Sequence, residues 1–117
     1  MAAELREVSV KELSEKLKAG EKITVLDVRE VWELSYARLT DERVLNLPMS
    51  EISKTLKEAF PPELRFPTAE IVVMCHHGAR SANVALWMLQ NGWENITSLA
   101  GGIDAYATQI DHQVGTY

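Results

Sequence analysis

Short runs of consecutive apolar residues alternate along this chain with stretches in which apolar residues recur every three or four positions. The run Ile23-Thr24-Val25-Leu26-Asp27-Val28 is β-branched and almost continuously apolar, as expected of a strand buried on both faces of a parallel sheet. Val44-Leu45-Asn46-Leu47, closed by Pro48, predicts a short strand; Ile71-Val72-Val73-Met74 and Ile96-Thr97-Ser98-Leu99 predict two more. Between them lie helical spacings. Leu13 and Leu17 stand four apart among charges in a segment from Lys11 to Ala19, with Ser9 as N-cap and Gly20 as terminator. Glu30 to Ala37 predicts a short helix, and Ser50 caps a stretch in which Ile52, Leu56 and Ala59 share a face until Pro61-Pro62 ends it. Pro61 to Pro67 reads as a loop. From Ser81 onward Val84, Leu86, Trp87, Met88 and Leu89 make a mostly buried helix stopped by Asn91-Gly92, and Ile103 to Ile110 form the last helix after a Gly101-Gly102 turn. Asp111 to Tyr117 reads as an irregular surface tail. The alternation predicts an α/β fold, a mostly parallel central sheet of about five strands flanked by helices on both faces, with ligands at the C-terminal edge of the strands.

With 117 residues, 46% of them hydrophobic, the chain supports one domain with a substantial core. The net charge is −5 and no Lys/Arg run stands out, which argues against a nucleic-acid partner. The N-terminal stretch Met1 to Glu7 lacks a signal peptide's apolar core, and no segment approaches the roughly 20 apolar residues that span a bilayer. A single cysteine excludes an internal disulfide and is kept usable most easily in a reducing compartment, so a cytoplasmic location is expected.

That cysteine, Cys75, ends the Ile71–Met74 run and opens Cys75-His76-His77-Gly78-Ala79-Arg80-Ser81, immediately before a helical pattern. A strand that stops and a helix that starts within a few residues leave successive N–H groups unpaired, and a tight turn aims them at one point. Here that point is a sulfur atom. The helix dipole and Arg80 add positive charge, an arrangement that holds an anionic, nucleophilic thiolate.

Four stretches taken together resemble the rhodanese domain over nearly the whole chain: Leu26-Asp27-Val28-Arg29-Glu30 with Trp32-Glu33, Leu45-Asn46-Leu47-Pro48, the loop from Cys75 to Ser81, and Leu99-Ala100-Gly101-Gly102-Ile103-Asp104-Ala105. The resemblance implies one rhodanese-like domain over residues 1–117. It also implies a sulfurtransferase in which Cys75 takes a sulfane sulfur from thiosulfate or a persulfide donor, becomes a persulfide, and passes the sulfur to cyanide, a thiol or a sulfur-carrier protein. No cofactor beyond that covalent persulfide is implied. The ending from Gly101 through Tyr117 is similar to rhodanese domains joined to adenylating enzymes that activate sulfur carriers. Two departures are visible: Ser35 to Arg43 replaces the family's usual Gly-His-Ile-x-Gly-Ala segment, and Tyr106 stands in place of a tryptophan.

Residue by residue, Cys75 is the expected nucleophile. N–H groups from about His76 to Arg80 are expected to stabilise thiolate and persulfide alike, with Gly78 supplying a positive φ and Ala79 lying within that run. Arg80 either holds an anionic donor with its forked guanidinium or pairs with a carboxylate, and Ser81 either caps the helix or touches substrate. At least one of His76 and His77 lines the mouth. Adjacent histidines in a tight loop seldom address one ion, and His112 is the only other histidine, so no metal is expected. Asp27 and Arg29 are expected to support the site structurally, the buried carboxylate needing the active-site loop or an arginine as partner. Trp32, Trp87 and Trp93 are expected in packing.

Two rival functions differ in class. Cysteine phosphatases and arsenate reductases wrap a tetrahedral oxyanion with a Cys-x5-Arg loop; here four residues separate Cys75 from Arg80, and the smaller ring suits a single terminal sulfur. The other rival is a non-catalytic module whose loop docks a partner.

Overall fold

The computed structural model describes residues 4–117, so Met1 to Ala3, part of the stretch weighed above as a leader, lie outside the described residues. Five strands form one sheet: β1 (Arg6–Val8), β2 (Thr24–Asp27), β3 (Val44–Asn46), β4 (Ile71–Met74) and β5 (Ile96–Leu99). Their order is β1-β5-β4-β2-β3 and every pairing is parallel, with Leu26 beside Val73 and Val73 beside Ser98 at the centre. Strand β1 lies beyond the pattern read above: at three residues, two of them exposed, it carries too little apolar periodicity to signal itself and is held by pairing with β5.

The helices α1 (Val10–Lys18), α2 (Met49–Thr55), α3 (Ala79–Gln90) and α4 (Gly102–Gln109) cover the two faces. The period-2 geometry of the strands divides the core accordingly. Val25, Val72, Met74 and Leu99 face Leu13 of α1 and Ile103, Tyr106 and Ala107 of α4. Leu26, Val28, Ile71, Val73 and Ile96 face Ile52, Val84, Ala85, Met88, Phe60 and Trp93. The α/β expectation holds, with a sheet that is wholly parallel and layered on both sides. Among the described residues no helix is long and apolar enough to cross a membrane.

Local differences have local causes. Ser9 caps α1 through a reciprocal box with Glu12, as expected. Ser50 does not cap α2: Pro48 stands at that position and the Ser50 hydroxyl donates to Glu30 Oε1 at 2.6 Å. The single helix expected from Ser50 to Ala59 is broken at Leu56, whose φ of 55° turns the chain into a separate 3-10 turn over Leu56–Ala59. Glu30 to Ala37 forms only a 3-10 turn, Val31–Ser35, and Pro62–Leu64 is another within the expected loop. Helix α3 begins at Ala79, capped by Gly78, two residues before the expected start. The tail is not irregular throughout: His112–Val114 is a 3-10 turn, Val114 is buried, and Arg38 N–H donates to Val114 O at 2.9 Å. That contact fixes the divergent 35–43 segment against the tail.

Candidate active site

Strand β4 and helix α3 are joined by the loop Cys75–Gly78, and β5 and α4 by Ala100–Gly101, so both loops open at the C-terminal edge of adjacent strands. Main-chain bonds lock the two loops together: Ile103 N–H donates to Cys75 O at 2.9 Å and Asp104 N–H to His76 O at 3.1 Å. Gly102 permits this approach. A Cβ there would lie 2.5 Å from Cys75 O and closer still to His76 O, at a φ of +63°. Gly78 answers a different need: a Cβ would have ordinary room, but its φ of +113° is left-handed.

The Cys75 sulfur is almost wholly buried and is the focus of the loop. Gly78 N–H donates to Sγ at 3.1 Å and Ser81 N–H at 3.3 Å, and Ser81 Oγ lies 3.5 Å from it. The hydroxyls of Ser81 and Ser98 share a hydrogen bond of 2.8 Å, and Ser81 Oγ also donates to Gly78 O, which ties the cradle to strand β5. Two N–H donors and the first turn of a 12-residue helix therefore converge on one sulfur. The amides of Ala79 and Arg80 belong to the same first turn, where N–H groups lack intrahelical acceptors.

Arg80 sits at the rim. Its guanidinium makes a bidentate pair with Glu33, Nη1 to Oε2 at 2.6 Å and Nη2 to Oε1 at 2.8 Å, while the Glu33 side chain is 3% exposed. Of the two roles open to Arg80 from sequence, the structure places it on a carboxylate. The Arg80 hydrogen bonds, against the opposing effect of burial and with help from Tyr117 and the Glu30 N–H, hold the Glu33 carboxyl down at about 2. Glu33 reciprocally raises Arg80.

Asp27 and Arg29 form a second, fully buried pair. Arg29 N–H, Nε and Nη2 all donate to the Asp27 carboxylate, with Nη2 to Oδ2 at 2.7 Å. Among the described residues, neither side chain hydrogen-bonds to the cysteine loop. They reach it through Tyr117, whose hydroxyl accepts from Arg29 Nη1 at 3.1 Å and donates to Glu33 Oε1 at 2.8 Å. Asp27, Arg29, Tyr117, Glu33 and Arg80 are thus one chain of hydrogen bonds. Burial raises the Tyr117 hydroxyl above its ordinary value despite Arg29.

The Tyr117 ring stacks on His76 at 3.7 Å, and His76 stacks on His77 at 3.8 Å. His76 is half-buried and its Nε2 has no partner; burial, reinforced by His77, lowers its affinity for a proton. His77 is exposed at the mouth. Sequence reading missed four participants: Glu33, Ser98, Asp104 and Tyr117. Polar Glu33 and Ser98 inside otherwise apolar runs were a usable signal. Asp104 and Tyr117 lie in stretches that carried the resemblance, but nothing there gave them a place at the loop, because only the folded chain brings them to it.

Comparison with known proteins agrees with this geometry. The model of the rhodanese-like domain matches residues 9–109. The chain belongs to the rhodanese-like domain family. This rhodanese-like domain is 30% identical over 103 residues to a protein named sulfurtransferase from Allochromatium vinosum, covering 88% of this chain and 89% of that one. It is 28% identical over 116 residues to a rhodanese-like/PpiC domain-containing chloroplastic protein of Arabidopsis thaliana, covering 97% of this chain but 38% of that protein. Several curated relatives are longer in this way, the rhodanese-like domain spanning about a third to a half of their length. A rhodanese-related crystal structure from Thermoplasma volcanium superposes with a TM-score of 0.70 at 30% identity, covering 90% of this chain and 93% of that one.

Proposed function

We propose that this rhodanese-like domain is a sulfurtransferase that carries a sulfane sulfur on Cys75. The observation that supports it most directly is the convergence of the Gly78 and Ser81 N–H groups on Sγ at the start of α3. Family membership and similarity to the Allochromatium sulfurtransferase point the same way. In the transfer, the Cys75 thiolate attacks the outer sulfur of a donor R–S–SH. The S–S bond between that sulfur and the donor's inner sulfur breaks, R–S⁻ leaves with the bonding pair, and the outer sulfur remains on Cys75 as a persulfide. With thiosulfate the leaving group is sulfite. An acceptor nucleophile, whether cyanide, a thiol or a sulfur-carrier protein, then attacks the terminal sulfur and returns Cys75 as thiolate. The first-turn amides of Ala79 and Arg80 stabilise the terminal sulfur, as an oxyanion hole stabilises oxygen, a role supported by their lying between the two amides that reach Sγ. Because the chain has one cysteine, the persulfide has no resolving thiol within it and an external acceptor completes the cycle.

The charge around the loop favours a persulfide over thiosulfate as donor. Arg80, the cation that follows the loop, is already paired by Glu33, and Asp104 adds a carboxylate beside His77, so a dianion meets no uncompensated side-chain cation there. Use of a free thiolate fits a reducing cytoplasmic setting, without need of nucleic acid or membrane.

Intact mass after incubation with thiosulfate, and separately with a small alkyl persulfide, tests the proposal against Cys75→Ser. One sulfur atom gained by wild type alone and removed by cyanide is expected, more completely from the persulfide. Folded protein that gains no sulfur from either donor would transfer the lead to a partner-docking module.

A further inference from the structure

We propose that His76, His77 and Asp104 form a surface site for a divalent transition-metal ion of the Zn²⁺ class at the mouth of the cysteine loop. The ligand-capable atoms of the three side chains all lie within 4.8 Å of one another. The His77 Nδ1 to Asp104 Oδ2 separation is 3.8 Å, too long for a hydrogen bond. It is instead a separation at which both atoms can contact one ion: ligands about 2.1 Å from a common metal stand roughly 3.4 Å apart in a tetrahedron and at most about 4.2 Å apart. His76 contributes an independent sign, a buried Nε2 without any hydrogen-bond partner. A buried polar nitrogen left unpaired is costly, and a metal is one partner that satisfies it.

The two rings are stacked at 3.8 Å and 28°, so their in-plane lone pairs do not meet as they stand; a shared ion requires the exposed His77 ring to turn out of the stack toward Asp104. The third ligand is held in place by the backbone. Asp104 lies in the first turn of α4, and its own N–H donates to His76 O, so two histidines and a carboxylate share one rigid junction. Bringing atoms up to 4.8 Å apart to the roughly 3.4 Å of a tetrahedral pair is a closure of up to about 1.4 Å, within reach of rotation of the exposed His77 side chain. Two imidazoles and one carboxylate select a borderline ion such as Zn²⁺ over Ca²⁺ or Mg²⁺, which prefer oxygen. Three protein ligands leave coordination positions open to solvent. The site does not depend on Cys75 being a sulfur carrier.

Zn²⁺ competition against a chromophoric chelator, on untagged Cys75→Ser protein so that the thiol contributes nothing, tests the site. One equivalent bound at low micromolar concentration is expected, weakened by about tenfold or more in His77→Ala and in Asp104→Ala and unchanged in His112→Ala. The first two variants alter exposed or half-exposed side chains, and thermal unfolding verifies that each remains folded. Absence of binding in Cys75→Ser, or equal affinity in the His77 and Asp104 variants, overturns the proposal.

Discussion

Glu33 determines what Arg80 is free to do. An arginine at the start of a helix beside a nucleophilic sulfur would ordinarily serve an anionic donor, but here both outer nitrogens are engaged by one nearly buried carboxylate. Glu33→Gln removes the negative charge and leaves an amide that can still hydrogen-bond, so Arg80 gains net charge and freedom. The expected result is a KM for thiosulfate lower by about tenfold, the equivalent of one charge-assisted contact, with the persulfide donor little affected. An unchanged thiosulfate KM would mean that the pairing does not set donor choice. The same carboxyl governs acid behaviour. Its value is lowered from 4.5 to about 2, so its contribution to stability is complete above 4.5 and disappears as pH falls through 2. Glu33→Gln is expected to flatten that part of the acid denaturation profile, measured by circular dichroism. At this scale the sequence was informative about Cys75 and about Asp27 needing a partner, the active-site loop or an arginine, of which the structure supplies Arg29; it was less so about Arg80, whose partner lies 47 residues away.

Among the elements, the junction between the cysteine loop and α4 is the least forgiving. Gly102 has a φ of +63°, and a side chain there meets the carbonyls of Cys75 and His76, main-chain atoms that cannot swing aside. Gly102→Ala is therefore expected to lower stability by about 2 kcal/mol or more, combining left-handed strain with displacement of the loop. Gly78→Ala, with the same kind of φ but ordinary space, is expected to cost about 1 kcal/mol. Chemical denaturation separates the two; equal losses would show that crowding at Gly102 is relieved. These glycines were legible as turn signals from sequence, as were strands β2, β4 and β5, whose apolar runs are long enough to declare themselves. The break at Leu56 was not. Ile52, Leu56 and Ala59 have helical spacing, yet Leu56 is exposed with a positive φ, so a periodic pattern of only two turns did not mark one continuous helix.

Across the whole molecule, residues from opposite ends of the chain meet beneath the loop. Asp27 and Arg29 come from the end of β2, Glu33 from the turn after it, Arg80 from α3, and Tyr117 from the tail, and only the parallel crossover topology brings them into one line of hydrogen bonds. No periodicity announces such a meeting, which is why the tail reads as surface filler in one dimension. Tyr117→Phe separates the two things this residue does. The ring keeps its stack on His76, while the hydroxyl that accepts from Arg29 and donates to Glu33 is lost. Hydrogen bonds to charged groups contribute about 1.5–3 kcal/mol, and a vacated space next to two charges admits water more readily than an apolar core does, so a loss of about 1–2 kcal/mol is expected in thermal or chemical unfolding. Because the Tyr117 hydroxyl is one of the groups that lower the Glu33 carboxyl, its removal is also expected to move the acid transition to higher pH, opposite to the flattening produced by Glu33→Gln. A Tyr117→Phe protein with unchanged stability and an unchanged acid transition would show that the tail rests on the site without holding it.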